Sequence, residues 1–248
     1  LQFEVKTFKL SGASLLPEAE LQAVLAPWRK RMLRFADLEQ AAAALTQAYR
    51  DKGWLVRTQL PQQDITEGSV TLKLIEGHLG EVRVDSKGQA LRVSPERIIA
   101  IVTVRQKRGA PLALDDLERA SNLLSDTPGL VSGVSLTPGK HEGESDLLIT
   151  AQNKDLVSGL VQLDNFGVRS SGTHRLNASL SLDNPMGLGD QATLATGFTR
   201  GSLYARASYS LPLGADGWRA GIHTSHIRYA LQEEFAVLDA QGDADTWG

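Results

Sequence analysis

The sequence predicts an α+β region followed by an all-β region, namely two tandem β-α-α-β-β modules and then the first strands of an antiparallel transmembrane β-barrel. Three observations predict this fold class. A β-α-α-β-β pattern of about 75 residues occurs twice in succession. Helical periodicity disappears after Lys154, and segments of about ten residues beyond it alternate apolar and polar side chains. We expect domains at residues 1–77, 78–153 and 154–248.

The first module is predicted from an apolar pattern that changes its period along the chain. Apolar residues at helical spacing indicate two helices, and Gly53 follows the second one where a left-handed residue commonly ends a helix. The expected elements are a strand at 2–10, helices at 17–28 and 35–53, and strands at 54–61 and 69–77 around a turn from Asp64 to Gly68.

The second module repeats this plan. Ser94 stands at the expected N-cap of a helix, directly before a proline. Gly53 lines up with Gly129, and Gly68 with Gly143, which supports a true repeat. Each module is near the lower size limit for an independent core. The expected elements are a strand at 79–86, helices at 94–104 and 114–129, and strands at 130–139 and 144–152.

In the third region, residues 174–187 and 202–214 alternate strictly between apolar and polar residues, and residues 191–200 and 218–229 do so more weakly. Between Arg175 and Asp183, leucine and alanine face one way, while arginine, asparagine, serine and aspartate face the other. A soluble antiparallel sandwich alternates in the same way. Long strands, polar faces that carry Arg206 beside small hydroxyl residues, and aromatic side chains near strand ends favour a membrane barrel of which we count about five strands. These aromatic residues are Phe166, Tyr204 and Trp218.

Composition argues against several classes of function. The 26 basic and 29 acidic residues leave a formal net charge of −3, which gives no electrostatic footprint for nucleic acid. Without any cysteine, disulfides, thiolate chemistry and cysteine-based zinc sites are excluded. We expect no transmembrane helix, because no run of about 18 apolar residues occurs. No signal peptide is visible before the first strand.

Neither a catalytic site nor a metal site is expected. His223 and His226 have an H-x-x-H spacing, which on a strand places them on opposite faces, away from a shared metal. The stretch from Gly187 to Asp190 is not followed by a helix, so it is not predicted to be a phosphate loop. Tyr49 and Trp54 flank the glycine that ends the second helix, where packing explains them. We therefore expect neither an enzyme nor a cofactor.

The repeat and two segments of the sequence together resemble a known family. The segment "YRDKGWLVRTQLPQQDITEGSVTLKLIEGHLGEVRV" is similar to the first polypeptide-transport-associated (POTRA) domain of two-partner secretion transporters, the haemolysin-activator-like TpsB family. The residues that carry this resemblance are Tyr49, Gly53, Leu60, Pro61, Gln63, Gly68, Glu76 and Gly77. The segment "DNFGVRSSGTHRLNASLSLDNPMGLGD" resembles the family's first barrel hairpin. Its matching residues are Asp164, Asn165, Gly167, Gly172 and Gly187 to Asp190.

The resemblance implies an outer-membrane protein that translocates a polypeptide. In this family the two modules, here residues 1–153, lie in the periplasm and bind an unfolded client that leaves through the barrel. The implied partners are outer-membrane lipid and a large secreted β-helical exoprotein, such as an adhesin, a haemolysin or a contact-dependent toxin. A monomer without a nucleic-acid partner is expected. The family's pore loop and plug helix have no counterpart here, and its barrel has more strands, so we interpret the chain as an N-terminal portion.

The expected client site follows from the physics of a sheet edge. An edge strand offers free N–H and C=O groups, to which an extended client can add itself as a further strand. The resemblance implies that the first strand of each C-terminal hairpin is this edge, at residues 55–60 and 131–136. Ordinary short strands without a client have similar sequences, and the neighbouring glutamines Gln59, Gln62 and Gln63 suit polar pairing or a solvated turn. The candidate residues are Leu55, Arg57, Gln59, Leu60, Val131, Gly133 and Ser135.

Two rival functions remain open on the sequence. A barrel-assembly factor or a patatin-type autotransporter shares these modules and a barrel, although assembly factors usually carry more modules and the autotransporter one. A soluble periplasmic binding or scaffold protein with a β-sandwich tail also fits the alternating pattern. Two modules ahead of the alternating region favour the secretion transporter.

Overall fold

The first module has more strands than the sequence predicts. The computed structural model describes residues 3–65 and 68–248. Its first elements are β1 (Phe3–Val5), β2 (Thr7–Ser11), α1 (Glu18–Val24), β3 (Arg31–Leu33), α2 (Phe35–Asp51), β4 (Val56–Gln59) and β5 (Ser69–Glu76), with a 3-10 turn at Ala26–Trp28. The strand expected at 2–10 is two strands, and β1 pairs antiparallel with β3. Part of the turn expected from Asp64 to Gly68 lies outside the described residues.

A three-stranded sheet, the β1–β3 pair and two helices build the core of the first module. The sheet has the order β2-β5-β4, with β2 parallel and β4 antiparallel to β5. Val70, Leu72 and Leu74 alternate along β5 and are buried in one cluster with Leu38 and Leu45 of α2. The period of two in the strand and the helical spacing in α2 therefore direct their apolar faces into the same core. β2 and β4 are the edges of this sheet.

The second module repeats the plan. Its elements are β6 (His78–Asp85), α3 (Pro95–Thr103), α4 (Leu114–Ser125), β7 (Leu130–Pro138) and β8 (Glu144–Asn153). The sheet order is β6-β8-β7, so that β6 and β7 are edges. The Arg97 N–H donates to Ser94 Oγ at 3.3 Å, which confirms Ser94 as the N-cap of α3.

The aligned glycines of the two modules share one backbone conformation. Gly53 and Gly129 have φ angles of 81° and 77°, and Gly68 and Gly143 have φ angles of 73° and 81°. This left-handed conformation destabilises a residue with a Cβ by roughly 1–2 kcal/mol. The sequence repeat is therefore a repeat of turn geometry.

The third region is one antiparallel sheet of six strands that pair in sequence order. The strands are β9 (Val157–Asp164), β10 (Arg175–Asp183), β11 (Gln191–Thr199), β12 (Ser202–Leu213), β13 (Trp218–Ala230) and β14 (Gln241–Trp247). The expected number of about five strands is one too low. The missed strand is β14, whose sequence QGDADTW has two aspartates and little apolar alternation.

The register of this sheet separates an apolar face from a polar one. Leu176 lies opposite Leu163 in β9 and Phe198 in β11, all on one face. Arg206 lies on the other face, opposite Ser225 in β13. Leu163 is 75% exposed and Phe198 is 55% exposed. Such exposed apolar faces are typical of strands that face lipid, while the polar face is typical of a barrel interior.

Backbone contacts divide the chain into two compact units, and the second module contributes to both. One unit contains the chain up to Arg83 together with residues 102–121 and 134–149. The other contains residues 84–101, 122–133 and 150–248. The expected domain boundaries stay a prediction. No helix within residues 3–65 and 68–248 is long and apolar enough to cross a membrane.

Candidate functional site

The β4 edge presents outward main-chain groups at alternate residues. β4 is the end strand of its sheet, next to β5. The Gly77 N–H donates to the Leu55 C=O at 2.8 Å, so the main chain of Leu55 points toward β5. Because main-chain groups alternate along an antiparallel strand, those of Arg57 also point toward β5, and those of Val56 and Thr58 point outward.

The side chains of β4 divide between the module core and a helix-free face. Val56 is buried in the core, and the Thr46 hydroxyl of α2 donates to Thr58 Oγ1 at 3.0 Å. Arg57 is exposed on the opposite face. Leu60, just beyond the strand, packs against the core. The predicted client-contacting residues of this strand are Leu55, Arg57 and Gln59. Their main-chain groups point toward β5, so only their side chains are available to a client.

Pro61 and Gln63 end the ladder between β4 and β5. The register that pairs Gln59 with Lys73 would place residue 61 opposite Thr71, but proline has no N–H to donate. Instead, Gln63 Nε2 donates to the Thr71 C=O at 2.8 Å, and Gln63 Oε1 accepts from the Thr71 N–H at 2.6 Å. The Gln63 amide therefore replaces a strand residue inside the module, which decides against client pairing by this side chain.

The β7 edge has the same alternation. β7 is the end strand of its sheet, next to β8. The Gly139 N–H donates to the Glu144 C=O at 2.9 Å, and the Thr150 hydroxyl donates to the Gly133 C=O at 3.3 Å. Because main-chain groups alternate along the strand, every second residue back from Gly139 directs its N–H and C=O toward β8. The predicted residues Val131, Gly133 and Ser135 are among them. The residues with outward main chain are Ser132, Val134 and Leu136.

The opposite edges of the two sheets are partly engaged. Residues 109–114, which we call the strap, run along the start of β6, where the Leu79 N–H donates to the Ala110 C=O at 3.0 Å. On β2, the Gln22 side chain of α1 donates to the Phe8 C=O at 3.0 Å. Across the part of the chain that the structure describes, no main-chain partner occupies the outer side of β4 or β7. These two edges are therefore the candidate binding site.

A single residue joins the strands of the two modules. Gly77 separates β5 from β6, and its C=O accepts from the Leu112 N–H of the strap at 2.8 Å. The Leu55 N–H donates to the Leu112 C=O at 3.1 Å, so the strap bonds both modules. The turn between β7 and β8 reaches the same point, because the Gly143 C=O accepts from the His78 N–H at 2.8 Å.

Glu76 is a buried carboxylate at the end of β5. It accepts hydrogen bonds from the Ser14 N–H at 2.7 Å, the Leu15 N–H at 2.9 Å and the Tyr49 hydroxyl at 2.9 Å, and also from the Ser14 hydroxyl. Burial raises the pKa of Glu76, but the hydrogen bonds that it accepts outweigh burial and lower the pKa from its ordinary value. Burial, followed by the contact with Glu76, raises the pKa of the fully buried Tyr49. The packing role predicted for Tyr49 is confirmed.

The last residues of the segment that resembles the first barrel hairpin, 184–190, form a buried polar turn between β10 and β11. The Asp190 carboxylate accepts from the Tyr209 hydroxyl at 2.8 Å, and Asn184 Oδ1 accepts from the Gly189 N–H at 2.7 Å. Asn184 and Asp190 are fully buried. Gly129 packs against this turn, where an added Cβ would lie 2.6 Å from the Asn184 Cβ. The conformation of this turn and its packing against Gly129 account for the glycine and acidic residues between Gly187 and Asp190. The sequence did not predict this role.

The structure gives no support to a metal site. Among residues 3–65 and 68–248, no three carboxylate, imidazole or thiol groups are placed to hold a metal ion. His226 lies opposite Ala205 and its Nδ1 is 2.7 Å from Asp245 Oδ1, whereas His223 lies opposite Ser208. The two imidazoles occupy opposite faces of β13, as their spacing predicts.

Two family models match the chain. One, described as POTRA domain, ShlB-type, matches residues 3–77, which include the β4 edge. The other, described as Haemolysin secretion/activation protein ShlB/FhaC/HecB, matches residues 143–248, which include the six-stranded sheet. The chain therefore carries a ShlB-type POTRA domain and a domain of the ShlB/FhaC/HecB haemolysin secretion/activation family.

Relatives and a solved structure agree with this family. Outer membrane transporter CdiB of Escherichia coli is 32% identical over 97% of this chain and 40% of its own length. The heme/hemopexin transporter protein HuxB of Haemophilus influenzae is 28% identical over 92% of this chain and 40% of its own length. The solved structure of CdiB from Escherichia coli has a TM-score of 0.63 at 27% identity, covering 93% of this chain and 47% of that chain. The chain thus spans about 40% of the length of the curated relatives.

The two domain matches and the likeness to the solved CdiB structure confirm the fold class predicted from the sequence. The β-α-α-β-β modules are POTRA modules, and the six-stranded sheet corresponds to part of an antiparallel barrel rather than to a soluble sandwich. The expected location, an outer-membrane protein with periplasmic modules, is also confirmed. The matched relatives are transporters, not enzymes. The predicted client-contacting residues stay a prediction.

Proposed function

We propose that this chain is part of a two-partner-secretion transporter. Its modules bind an unfolded exoprotein in the periplasm and pass it to a β-barrel pore in the outer membrane. The exoprotein is large, secreted and β-helical, of the adhesin, haemolysin or contact-dependent-toxin kind. The transporter acts as a monomer, and the apolar face of its barrel strands contacts outer-membrane lipid.

The outward main-chain groups of β4 and β7 carry this proposal. An extended client can add itself to either edge through main-chain hydrogen bonds, with little demand on its side chains. This mode of binding suits a transporter that handles its client before folding. The polar face around Arg206 and Ser225 supports a wet barrel interior as the exit route.

The first test compares wild-type cells with cells that lack the full-length parent of this chain. Mass spectrometry of the culture medium and the outer membrane is the measurement. We expect one very large protein to disappear from the medium while the outer-membrane profile stays intact. Broad depletion of outer-membrane barrel proteins would overturn the proposal and identify a general assembly factor instead.

The second test removes one outward N–H from each edge of the full-length parent. Val134→Pro deletes the outward N–H of β7, and its matched control Val134→Ala keeps it. Thr58→Pro and Thr58→Ala form the same pair on β4, and both lose the hydroxyl contact with Thr46. We expect each proline variant to secrete several-fold less client than its alanine control, at equal barrel content in the membrane. Equal secretion by the proline and alanine variants in both pairs would show that main-chain pairing at these edges is not needed for secretion.

A further inference from the structure

The directions of β4 and β7 bear on whether the two edges bind one client segment or two. β4 starts at Val56, beside the junction between the modules, and runs away from it to Gln59. β7 runs from Leu130 to Pro138, and its last residue lies at the junction. A client strand antiparallel to β4 approaches the junction, and one antiparallel to β7 leaves it. A single strand therefore keeps one N-to-C direction along both edges.

A groove of about 380 Å³ connects the two edges at the junction. One wall is formed by β4 and β5, with Leu55, Arg57 and Ile75. The other wall is formed by the end of β7 and the following turn, with Leu136 and Pro138. Because both walls belong to the edge strands or their neighbours, the groove gives an extended backbone a direct path from one edge to the other.

Hydrogen bonds hold the two walls in a fixed relation. The strap bonds Leu55 and Gly77, and the main chain of Gly143 bonds that of His78. Across the same junction, Lys73 Nζ of β5 lies 2.7 Å from Glu142 Oε1 in the turn after β7. Two binding edges that are fixed in this way lower the entropy cost of engaging both with one segment.

We propose that a single extended client segment pairs antiparallel with β4, crosses the groove and pairs antiparallel with β7. This inference rests on the function proposed above. The segment covers the four residues of β4 and the nine of β7, so with the crossing it needs on the order of 15–20 residues. Its N-terminal part lies on β4. On one face of the extended sheet its C-terminal part lies beside the exposed, uncharged residues Val131, Gly133 and Ser135, so this part is β-forming and poor in charge.

Site-specific photocrosslinking in cells tests the arrangement for a client of any sequence. The photoreactive amino acid p-benzoylphenylalanine replaces Arg57 on β4 or Ser135 on β7 of the full-length parent. Glu39 and Glu118, exposed and aligned by the repeat on α2 and α4, are the matched control positions. Mass spectrometry then locates the crosslinked residues within the client sequence.

We expect both edge positions to crosslink one client stretch at a constant offset on the order of ten residues. The residue crosslinked to Arg57 should be N-terminal to the one crosslinked to Ser135. Crosslinks at both edges without a constant offset would overturn the single segment and leave edge binding intact, and a constant offset in reversed order would overturn the antiparallel sense. Normal secretion without crosslinks at either edge would overturn edge binding itself, and with it the function proposed above.

Discussion

The two modules place the same glycine after their second helix, but each glycine meets a different neighbour. The Gly53 C=O accepts from the Leu114 N–H of the second module at 2.8 Å. The Gly129 C=O accepts from the Lys154 N–H of the third region at 3.0 Å. In both modules a left-handed glycine after the second helix also bonds the region that follows in the chain. One repeated turn thus connects three successive regions.

The two glycines differ in the space around them. A Cβ on Gly129 would lie 2.6 Å from the Asn184 Cβ and 2.9 Å from the Asp183 main-chain oxygen. At Gly53 the nearest atom to such a Cβ is a carboxylate oxygen of Asp115, 3.9 Å away. The connection at Gly53 is therefore made by main-chain hydrogen bonds and leaves space for a methyl group. The connection at Gly129 is close-packed and leaves none.

Alanine at Gly129 should give the largest loss of stability, and Gly53→Ala is its matched comparison. Gly53→Ala should lower the stability by roughly 1–2 kcal/mol because of its left-handed backbone. Gly129→Ala should lower the stability by that amount and by about 1–3 kcal/mol more, because its Cβ overpacks against Asn184. Thermal unfolding of the detergent-solubilised chain measures the difference between the variants. Equal losses in the two variants would show that the turn after β10 moves aside and that the second connection is not close-packed.

The residue at the end of the central strand is a second difference between the modules. The spacing that aligns Gly68 with Gly143 places Ala151, which is fully buried, at the position of Glu76. Glu76→Ala leaves two N–H groups and the hydroxyls of Ser14 and Tyr49 without their acceptor, which we expect to cost about 1–3 kcal/mol. Urea unfolding measures this loss. Glu76→Gln retains one acceptor oxygen and should lose less, so a larger loss in the glutamine variant would contradict this account.

Most of the fold could be predicted from the sequence because local signals and the repeat agree. The apolar spacing of α2, the N-cap at Ser94 and the left-handed glycines each leave a readable pattern. The two missed strands lack such a pattern. β3 has three residues, and β14 looks like an acidic loop. Both are strands because a neighbouring strand pairs with them, which the local sequence does not encode.

The candidate site could be predicted only at the level of strands. The resemblance indicated β4 and β7, but the outward main-chain groups depend on the register with β5 and β8. That register places Thr58 and Val134, rather than Arg57 and Ser135, at the free side. The use of Gln63 inside the module depends on the exact end of the β4 ladder, which a sequence of glutamines does not reveal.

Acid should weaken the first module through its Glu76 network. The folded-state pKa of Glu76 is below its ordinary value, which is roughly 4.3 in an unfolded chain. The stabilisation is therefore complete above that value and is lost as the pH falls through the folded-state pKa. Unfolding free energies measured from neutral to acidic pH should fall more steeply for the wild-type chain than for Glu76→Gln. Parallel curves would mean that other carboxylates dominate the acid response.

The ion pair at the first connection should have the smallest effect. The Lys73 ammonium, through its hydrogen bond and then its charge, lowers the pKa of Glu142. The Lys73 and Glu142 side chains are 42% and 58% exposed, and solvent-exposed ion pairs contribute little to stability and weaken with salt. Glu142→Gln should therefore destabilise the chain less than Glu76→Gln, and the loss should vanish in high salt. A salt-independent loss of equal size would mean that this side chain, rather than the main-chain bond from His78 to Gly143, holds the turn against the first module.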